Sequence, residues 1–363
     1  MSRASGTSRP LRLRPDGWSI EILDQTLLPH REEWVHLTTL QQAVDAIATM
    51  QVRGAPLIGV TAAYGLCLAL TADASDRALE QATASLLASR PTAVNLAWAV
   101  AVVRRAALAN GPDQRVRNAY AAAQALAESE AAACRAIGDH GLDLIRDVGD
   151  RSSHERPVQI LTHCNAGWLA TMEYGTALAP VYRAHEEGIP VHVWVAETRP
   201  RNQGWLTAWE LGAAGISHTV VADNASGHLL QRGEVDLVFV GTDRTTRGGD
   251  VCNKVGTCLR ALAARDAGVP FYVAAPSSSI DWTITDGTAI RIEERSADEV
   301  THVRGLGPDG RPATVQVAPT GTAVRNFAFD VTPARLVTGL ITERGICAAS
   351  EAGLLGLFPE RQV

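Results

Sequence analysis

In TTLQQAVDAIATM (38–50) the apolar residues recur three and four positions apart, and Thr38 or Thr39 can cap the first turn, which predicts an amphipathic helix. Alanine-rich helical texture continues through 93–109 and 115–147, so residues 18–147 are expected to form a mostly helical N-terminal domain, with short strands in WSIEILDQTLL (18–28). Residues 1–17 carry Arg and Pro without periodicity and are expected to be a disordered arm. The polar stretch VGDRSSHERP (148–157), closed by a proline, is expected to be a linker. Beyond it the pattern changes to short apolar runs: VQILTHC (158–164), VHVWVAE (191–197), HTVVAD (218–223), VDLVFVGTD (235–243) and FYVAAP (271–276), most separated by helical segments. Alternating strand and helix predicts a parallel sheet covered by helices over 158–363, and hence an α/β fold.

In such a sheet the strands end on one edge, and ligands bind there. Cys164, Glu197, Asp223, Asp243 and Ser277 lie just past the predicted strands and are expected on that rim. The length of 363 residues suits two domains.

Composition narrows the chemistry. A net charge of -6 argues against a nucleic-acid partner, which requires a concentrated basic face. The six cysteines include no C-x-x-C pair, so the usual zinc spacing is absent. Scattered thiols and an N-terminus without an apolar core predict a reduced, cytoplasmic protein. Ala55 to Ala72 is uncharged and long enough to raise the question of a membrane span, but Ala, Gly, Thr, Tyr and Pro suit a buried helix better, and no membrane association is expected. No G-x-G-x-x-G follows a strand and no G-x-x-x-x-G-K-[ST] is present, which removes the support for a nicotinamide oxidoreductase or an NTPase.

Four segments can carry chemistry. In Val52-Arg53-Gly54-Ala55-Pro56, a glycine that lets backbone approach a ligand precedes a helix start, with an arginine beside it, which suits a phosphate. It also reads as an ordinary helix start. Thr162-His163-Cys164-Asn165-Ala166-Gly167 places a thiol between a strand and a predicted helix, where the helix dipole lowers a thiol pKa; buried structural cysteines are the commoner kind. His163 points to the other face and is read as packing. Glu197 to Gly204 is a dense polar loop. Gly241-Thr242-Asp243 leads through Thr-Arg-Gly-Gly to Asn253 and Lys254, read as the start of the next helix. Lys254 is the only lysine among 33 basic residues, which points to a place where a compact ammonium is needed instead of a planar guanidinium; it also reads as a surface lysine retained by chance.

Taken in order, LDQTLLP (23–29), MQVRGAPLIGV (50–60), RPTAVNL (90–96), ILTHCNAG (160–167), AETRPRNQG (196–204), LTAWEL (206–211), GTDR (241–244), NKVGT (253–257), PFYVAAP (270–276), IEER (292–295) and FDVTP (329–333) resemble the methylthioribose-1-phosphate isomerase family over nearly the whole chain. The wider family includes ribose-1,5-bisphosphate isomerases and regulatory subunits of a translation-initiation exchange factor. The resemblance implies a Rossmann-like C-terminal domain, a homodimer, no metal or other cofactor, and a sugar phosphate as ligand. It implies Cys164 and Asp243 as the catalytic pair. It carries the substrate contacts onto Arg53, Gly54, Ala55, Arg90, Gln203, Asn253 and Lys254. The implied reaction converts 5-methylthio-D-ribose 1-phosphate to 5-methylthio-D-ribulose 1-phosphate in methionine salvage. Isomerisation of 5-deoxyribose 1-phosphate, ribose 1-phosphate or ribose 1,5-bisphosphate is the nearest alternative, and a non-catalytic sugar-phosphate- or nucleotide-binding subunit is an alternative of another class.

This sequence departs from the family pattern at Gln203-Gly204-Trp205-Leu206, over Thr245 to Gly249, and at Asn326-Phe327-Ala328. The altered loops 203–206 and 245–249 are therefore expected to set the preference for the 5-substituent. In the implied reaction Asp243 protonates the ring oxygen as it leaves, and Cys164 assists hydrogen transfer between C1 and C2. Proton abstraction and hydride transfer are both open.

Overall fold

The first helix begins where the pattern placed it. Thr39 precedes α1 (Leu40–Ala48), its hydroxyl accepts the N–H of Gln42, and the Gln42 side chain returns to the Thr39 N–H in a capping box. The computed structural model describes residues 7–151 and 156–362. Before α1 lie β1 (Leu11–Leu13), β2 (Ile20–Leu23) and β3 (Trp34–Leu37), an antiparallel sheet. This corrects the expected arm over 1–17: Leu11 is buried, its strand pairs with β2, and Arg9 is ion-paired with Glu128 and Glu173. Residues 1–6 lie outside the described residues.

Helices α2 (Ala55–Ala72), α3 (Asp76–Ser89), α4 (Val94–Leu108) and α5 (Arg115–Arg151) follow. Helix α2 is long and apolar enough to cross a membrane, but it is 78% buried and packs among α1, α3, α4 and α5. Its small residues permit that close approach. Part of the expected linker 148–157 is corrected as well: α5 runs on through Arg151, and residues 152–155 lie outside the described residues. Helix α5 joins two cores. Ala119, Ala123 and Leu126 face the helical cluster, whereas Ile137, Leu142 and Ile145 face the sheet.

The rest of the chain contains β4 (Val158–Thr162), α6 (Ala179–Glu186), β5 (Val191–Ala196), α7 (Gly204–Ala214), β6 (His218–Val221), α8 (Ala225–Gln231), β7 (Leu237–Val240), β8 (Arg244–Thr246), β9 (Val251–Lys254), α9 (Thr257–Asp266), β10 (Phe271–Ala274), β11 (Ile280–Asp281), α10 (Asp298–Thr301), β12 (His302–Leu306), β13 (Pro312–Gln316), β14 (Phe329–Thr332), β15 (Gly339–Thr342), β16 (Gly345–Cys347) and α11 (Glu351–Leu357). All five apolar runs became strands of one sheet, ordered β16-β15-β10-β7-β4-β5-β6. Its strands are parallel except β16, which pairs antiparallel with β15 at the edge. The central strand β7 is apolar throughout because both its faces are covered: Leu237 and Phe239 enter one core cluster, and Val238 and Val240 enter the other.

The sequence pattern did not foretell the second sheet, β11-β8-β9-β14, which sits beside the strand ends. It corrects the reading of Asn253 and Lys254 as a helix start. Both belong to β9, paired with Asp330 and Phe329 of β14. The chain then turns at Gly256, whose φ is 100°, before α9 begins at Thr257.

Candidate active site

The site forms where the parallel strands end and the helical half of the chain closes over them. Between β4 and the turn that follows, Cys164 takes a φ of 66°. Its N–H donates to Thr198 Oγ1 at 2.8 Å, and its carbonyl accepts from Thr207 Oγ1 at 2.8 Å. No α-helix starts there: the next element is a 3-10 turn over Trp168–Ala170, which removes the helix-dipole argument made for the thiol. Asp243 lies past β7, with its backbone N–H bonded to the Cys252 carbonyl at 3.0 Å.

From the helical half, Arg53, Gly54 and Ala55 come in at the start of α2. Gly54 has a φ of 93°, and a Cβ there would lie 2.4 Å from the Ala170 carbonyl oxygen, so only glycine lets the two backbones meet. No side chain caps this helix end. Its first N–H groups and the Arg53 guanidinium make a setting for an anion. Arg53 Nη1 donates to Asn165 Oδ1 at 2.6 Å and Nη2 to the Asn165 carbonyl at 2.7 Å. Arg90 follows α3 and stands 3.6 Å from Glu293. Buried Gln203 precedes α7, and its Oε1 has no hydrogen-bond partner. Asn253 donates to Thr257 Oγ1 at 3.0 Å. Lys254 is 7% exposed; its Nζ donates to the Ala328 carbonyl at 2.9 Å and lies 5.0 Å from the centre of the Phe329 ring.

Arg53, Gly54, Ala55, Arg90, Cys164, Gln203, Asp243, Asn253 and Lys254 all line one cavity. The five rim residues do not all meet. Cys164 and Asp243 face the cavity, whereas Asp223 accepts the N–H groups of Thr198 and Arg199 and pairs with Arg260. Glu197 and Ser277 are not among the lining residues.

Burial makes Asp243 easier to protonate than an exposed carboxyl by raising its pKa, and Lys254, Arg53 and Arg90 pull in the opposite direction. Burial lowers the pKa of Lys254, opposed by Cys164 and Asp243. His163 is pushed well below its ordinary value by burial and by Arg260, so the ring is neutral. It hydrogen-bonds the Val255 carbonyl at 2.9 Å and Thr198 Oγ1 at 3.2 Å.

Sequence reasoning left out Asn165, Phe329 and Arg295, which also line the cavity. All three lie inside quoted segments, THCNAG, FDVTP and IEER, so a signal was present. Arg295 is held by Glu293 and Glu299. Burial works against charge on Glu299, but hydrogen bonds from Arg295 and Arg201 prevail and hold its carboxyl down at about 2. Ser279, at the turn after β10, had no such signal. Among the described residues no group of three His, Cys, Asp or Glu side chains is placed to hold a metal ion.

The altered loops are placed differently from expectation. None of residues 245–249 lines the cavity: Arg247 pairs with Glu351, and Gly248 and Gly249 pack against Thr285 and Ala349. Of 203–206 only Gln203 lines it.

Residues 51–349 match the initiation factor 2 subunit family. The chain belongs to this family. Within it, a Rhodospirillum centenum protein named methylthioribose-1-phosphate isomerase is 60% identical over 97% of this chain and 94% of its own length. The crystal structure of 5-methylthioribose 1-phosphate isomerase from Pyrococcus horikoshii OT3 is similar with a TM-score of 0.83 at 35% identity, covering 99% of this chain and 98% of that one. The delta subunit of translation initiation factor eIF-2B from A. fulgidus is also similar, with a TM-score of 0.79 at 35% identity, covering 97% of this chain and 99% of that one.

Proposed function

We infer that this protein is an aldose–ketose isomerase that converts 5-methylthio-D-ribose 1-phosphate to 5-methylthio-D-ribulose 1-phosphate, a step of methionine salvage. One observation carries the reading: Cys164 and Asp243 face a single cavity together with Arg53, Arg90 and Lys254, in a chain 60% identical to a named isomerase of this substrate.

The substrate explains why these residue types are needed. Its anomeric oxygen is phosphorylated, so the ring cannot open unaided to a free aldehyde. Net isomerisation breaks the bond between C1 and the ring oxygen, delivers a proton to that oxygen, moves one hydrogen from C2 to C1, and takes the proton from the C2 hydroxyl as the ketone forms. Asp243, with its pKa raised by burial, is suited to hold the proton given to the ring oxygen. Cys164, fixed in a left-handed turn, assists hydrogen transfer between C1 and C2. The cations and the first N–H groups of α2 receive the phosphate and keep it from leaving. Gln203 and Asn253 hold the sugar hydroxyls. No step calls on a cofactor.

The parallel strands follow the chain order 3-2-1-4-5-6, which supports a Rossmann-like domain over 158–363 beside a mostly helical one that begins with β1 and ends within α5. A homodimer and a cytoplasmic location complete the proposal; light scattering of the purified protein tests the first, and cell fractionation tests the second.

The function is tested by following purified protein by NMR with 5-methylthio-, 5-deoxy- and unsubstituted ribose 1-phosphate. The expected result is a ketose product, formed fastest from the methylthio sugar. Binding without turnover of any of the three would overturn the isomerase reading.

A further inference from the structure

Glu210, on α7, is fully buried and lies outside the cavity lining, yet its carboxylate organises the turn on which Cys164 sits. Oε1 accepts from Asn165 Nδ2 at 2.8 Å and from the Leu169 N–H at 3.0 Å. Oε2 accepts from the Trp168 N–H at 3.0 Å and from the Tyr182 hydroxyl at 3.1 Å. The chain closes tightly around it: a Cβ on Gly167 would lie 1.9 Å from Oε2, so the turn needs glycine to admit the carboxylate. Burial pushes Glu210 up to about 7, opposed by these hydrogen bonds.

Thr207, one turn earlier on the same helix, adds a second constraint. Its hydroxyl donates to the Cys164 carbonyl at 2.8 Å, leaving a lone pair for Asn165 Nδ2 at 3.2 Å. Asn165 therefore meets two acceptors on one side, and both take its NH2 group. Its amide oxygen must point the other way, where Arg53 Nη1 donates to it at 2.6 Å. A flipped amide would set NH2 against the guanidinium and its oxygen against a carboxylate.

We propose that Glu210, with Thr207, is a positioning residue of the isomerisation: it fixes the Asn165 carboxamide, and through it aims the Arg53 guanidinium at the substrate phosphate. The proposal rests on the reading of the cavity as a sugar 1-phosphate site. It gives a task to the Leu-Thr-Ala-Trp-Glu-Leu segment, whose threonine and glutamate are these two residues.

A carboxylate buried only for stability would give a different result in a double-mutant cycle with Arg53. The readout is the Kd of ribitol 1-phosphate, a polyol phosphate with no ring bond to open, measured calorimetrically for wild type, Glu210→Gln, Arg53→Gln and the double variant, each checked for folding by circular dichroism. Gln keeps the shape of Glu210 but turns an NH2 toward donors. The expected result is a Kd weakened about tenfold in Glu210→Gln, the scale of one misplaced hydrogen bond to a charged group. The double variant should bind no more weakly than Arg53→Gln alone, because the two residues act in series. Asn165→Ala, which removes the relay and leaves Glu210 its backbone partners, should show the same coupling and carries the cycle if Glu210→Gln does not fold. Additive losses, or a Kd unchanged within about twofold in the folded variants, would overturn the proposal. Turnover of 5-methylthioribose 1-phosphate by the wild type is measured alongside. Its absence would overturn the isomerase reading and leave the binding cycle to decide the role of Glu210.

Discussion

Thr198 Oγ1 accepts the backbone N–H of Cys164 at 2.8 Å, and both residues sit at a φ of 66°. Left-handed backbone is disfavoured for a β-branched residue and costs about 1–3 kcal/mol, so two adjoining turns of this kind must be held by their surroundings. The Thr198 hydroxyl has one proton and two nearby acceptors, the Ala196 carbonyl at 2.9 Å and Nδ1 of His163 at 3.2 Å. Neutral His163 spends its own N–H on the Val255 carbonyl. Whichever acceptor takes the Thr198 proton, the oxygen still receives Cys164. The buried histidine read from the sequence as packing is thus part of the scaffold behind the thiol.

Thr198→Val removes that acceptor and keeps the volume. Leaving a buried N–H unsatisfied costs about 1–3 kcal/mol, and the expected outcome is kcat lowered about tenfold or more. Thr198→Ser restores the hydroxyl and should recover most of the activity. Steady-state kinetics on the two variants check this, and equal rates would remove the contact from the account.

Cys164→Ser and Asp243→Asn should each suppress turnover by about 10²–10⁴-fold, the usual worth of a positioned acid–base group, without loss of fold. The asparagine is isosteric and cannot supply the proton that burial helps Asp243 retain. The check pairs a product assay with circular dichroism; near-wild-type turnover in either folded variant contradicts the assignment.

How far the sequence revealed this arrangement depended on the kind of signal. The parallel strands were legible because a strand buried on both faces must be apolar along its length, as Leu237 to Val240 are. Helix α1 was legible because Thr39 and Gln42 carry a local capping pattern. The small sheet of β8, β9, β11 and β14 was not. Arg244, Asn253 and Lys254 are polar strand residues held by pairing partners distant in sequence, Asp330 and Phe329 among them. The nine candidate residues did converge on one cavity, but no local pattern announced Glu210, whose hydrogen bonds depend on what folds around it.

Lys254 lies at the end of β9, so its role cannot rest on a helix dipole. Its Nζ reaches the Ala328 carbonyl over the Phe329 ring within a nearly closed space. A guanidinium is wider and planar and does not fit where one rotating ammonium does. Lys254→Arg is therefore expected to weaken binding of an unreactive sugar 1-phosphate analogue almost as much as Lys254→Met. Calorimetric titration of the three proteins decides it, and affinity equal to wild type in both variants would refute a phosphate contact.

Glu130 links the helical half of the chain to the site in a way that pH should reveal. It lies on α5 and is 3% exposed; Ser278 Oγ donates to it at 3.1 Å, Asn95 Nδ2 donates to that same hydroxyl at 3.0 Å, and Ser279 Oγ donates to Asn95 Oδ1 at 3.3 Å. Ser279 in turn lines the cavity. Burial pushes the Glu130 carboxyl up to about 7, with Ser278 working against the shift and Glu343 adding to it. A carboxyl raised above its unfolded value of about 4.5 is protonated more readily in the folded state. Its contribution is full below about pH 4.5 and is lost as pH rises toward and through 7, at a scale of up to about 3 kcal/mol. Glu210, also near 7, acts with the same sign. Buried His163, held well below its ordinary value, acts with the opposite sign up to about pH 6.5, where it is neutral in the unfolded chain as well. Stability to urea should therefore fall between about pH 6.5 and pH 8 in the wild type. Glu130→Gln keeps an acceptor for Ser278 but does not titrate, so its stability should fall less steeply over the same range. Urea midpoints measured at both pH values in both proteins make the comparison, and parallel pH dependence would show that Glu130 does not change its protonation on folding.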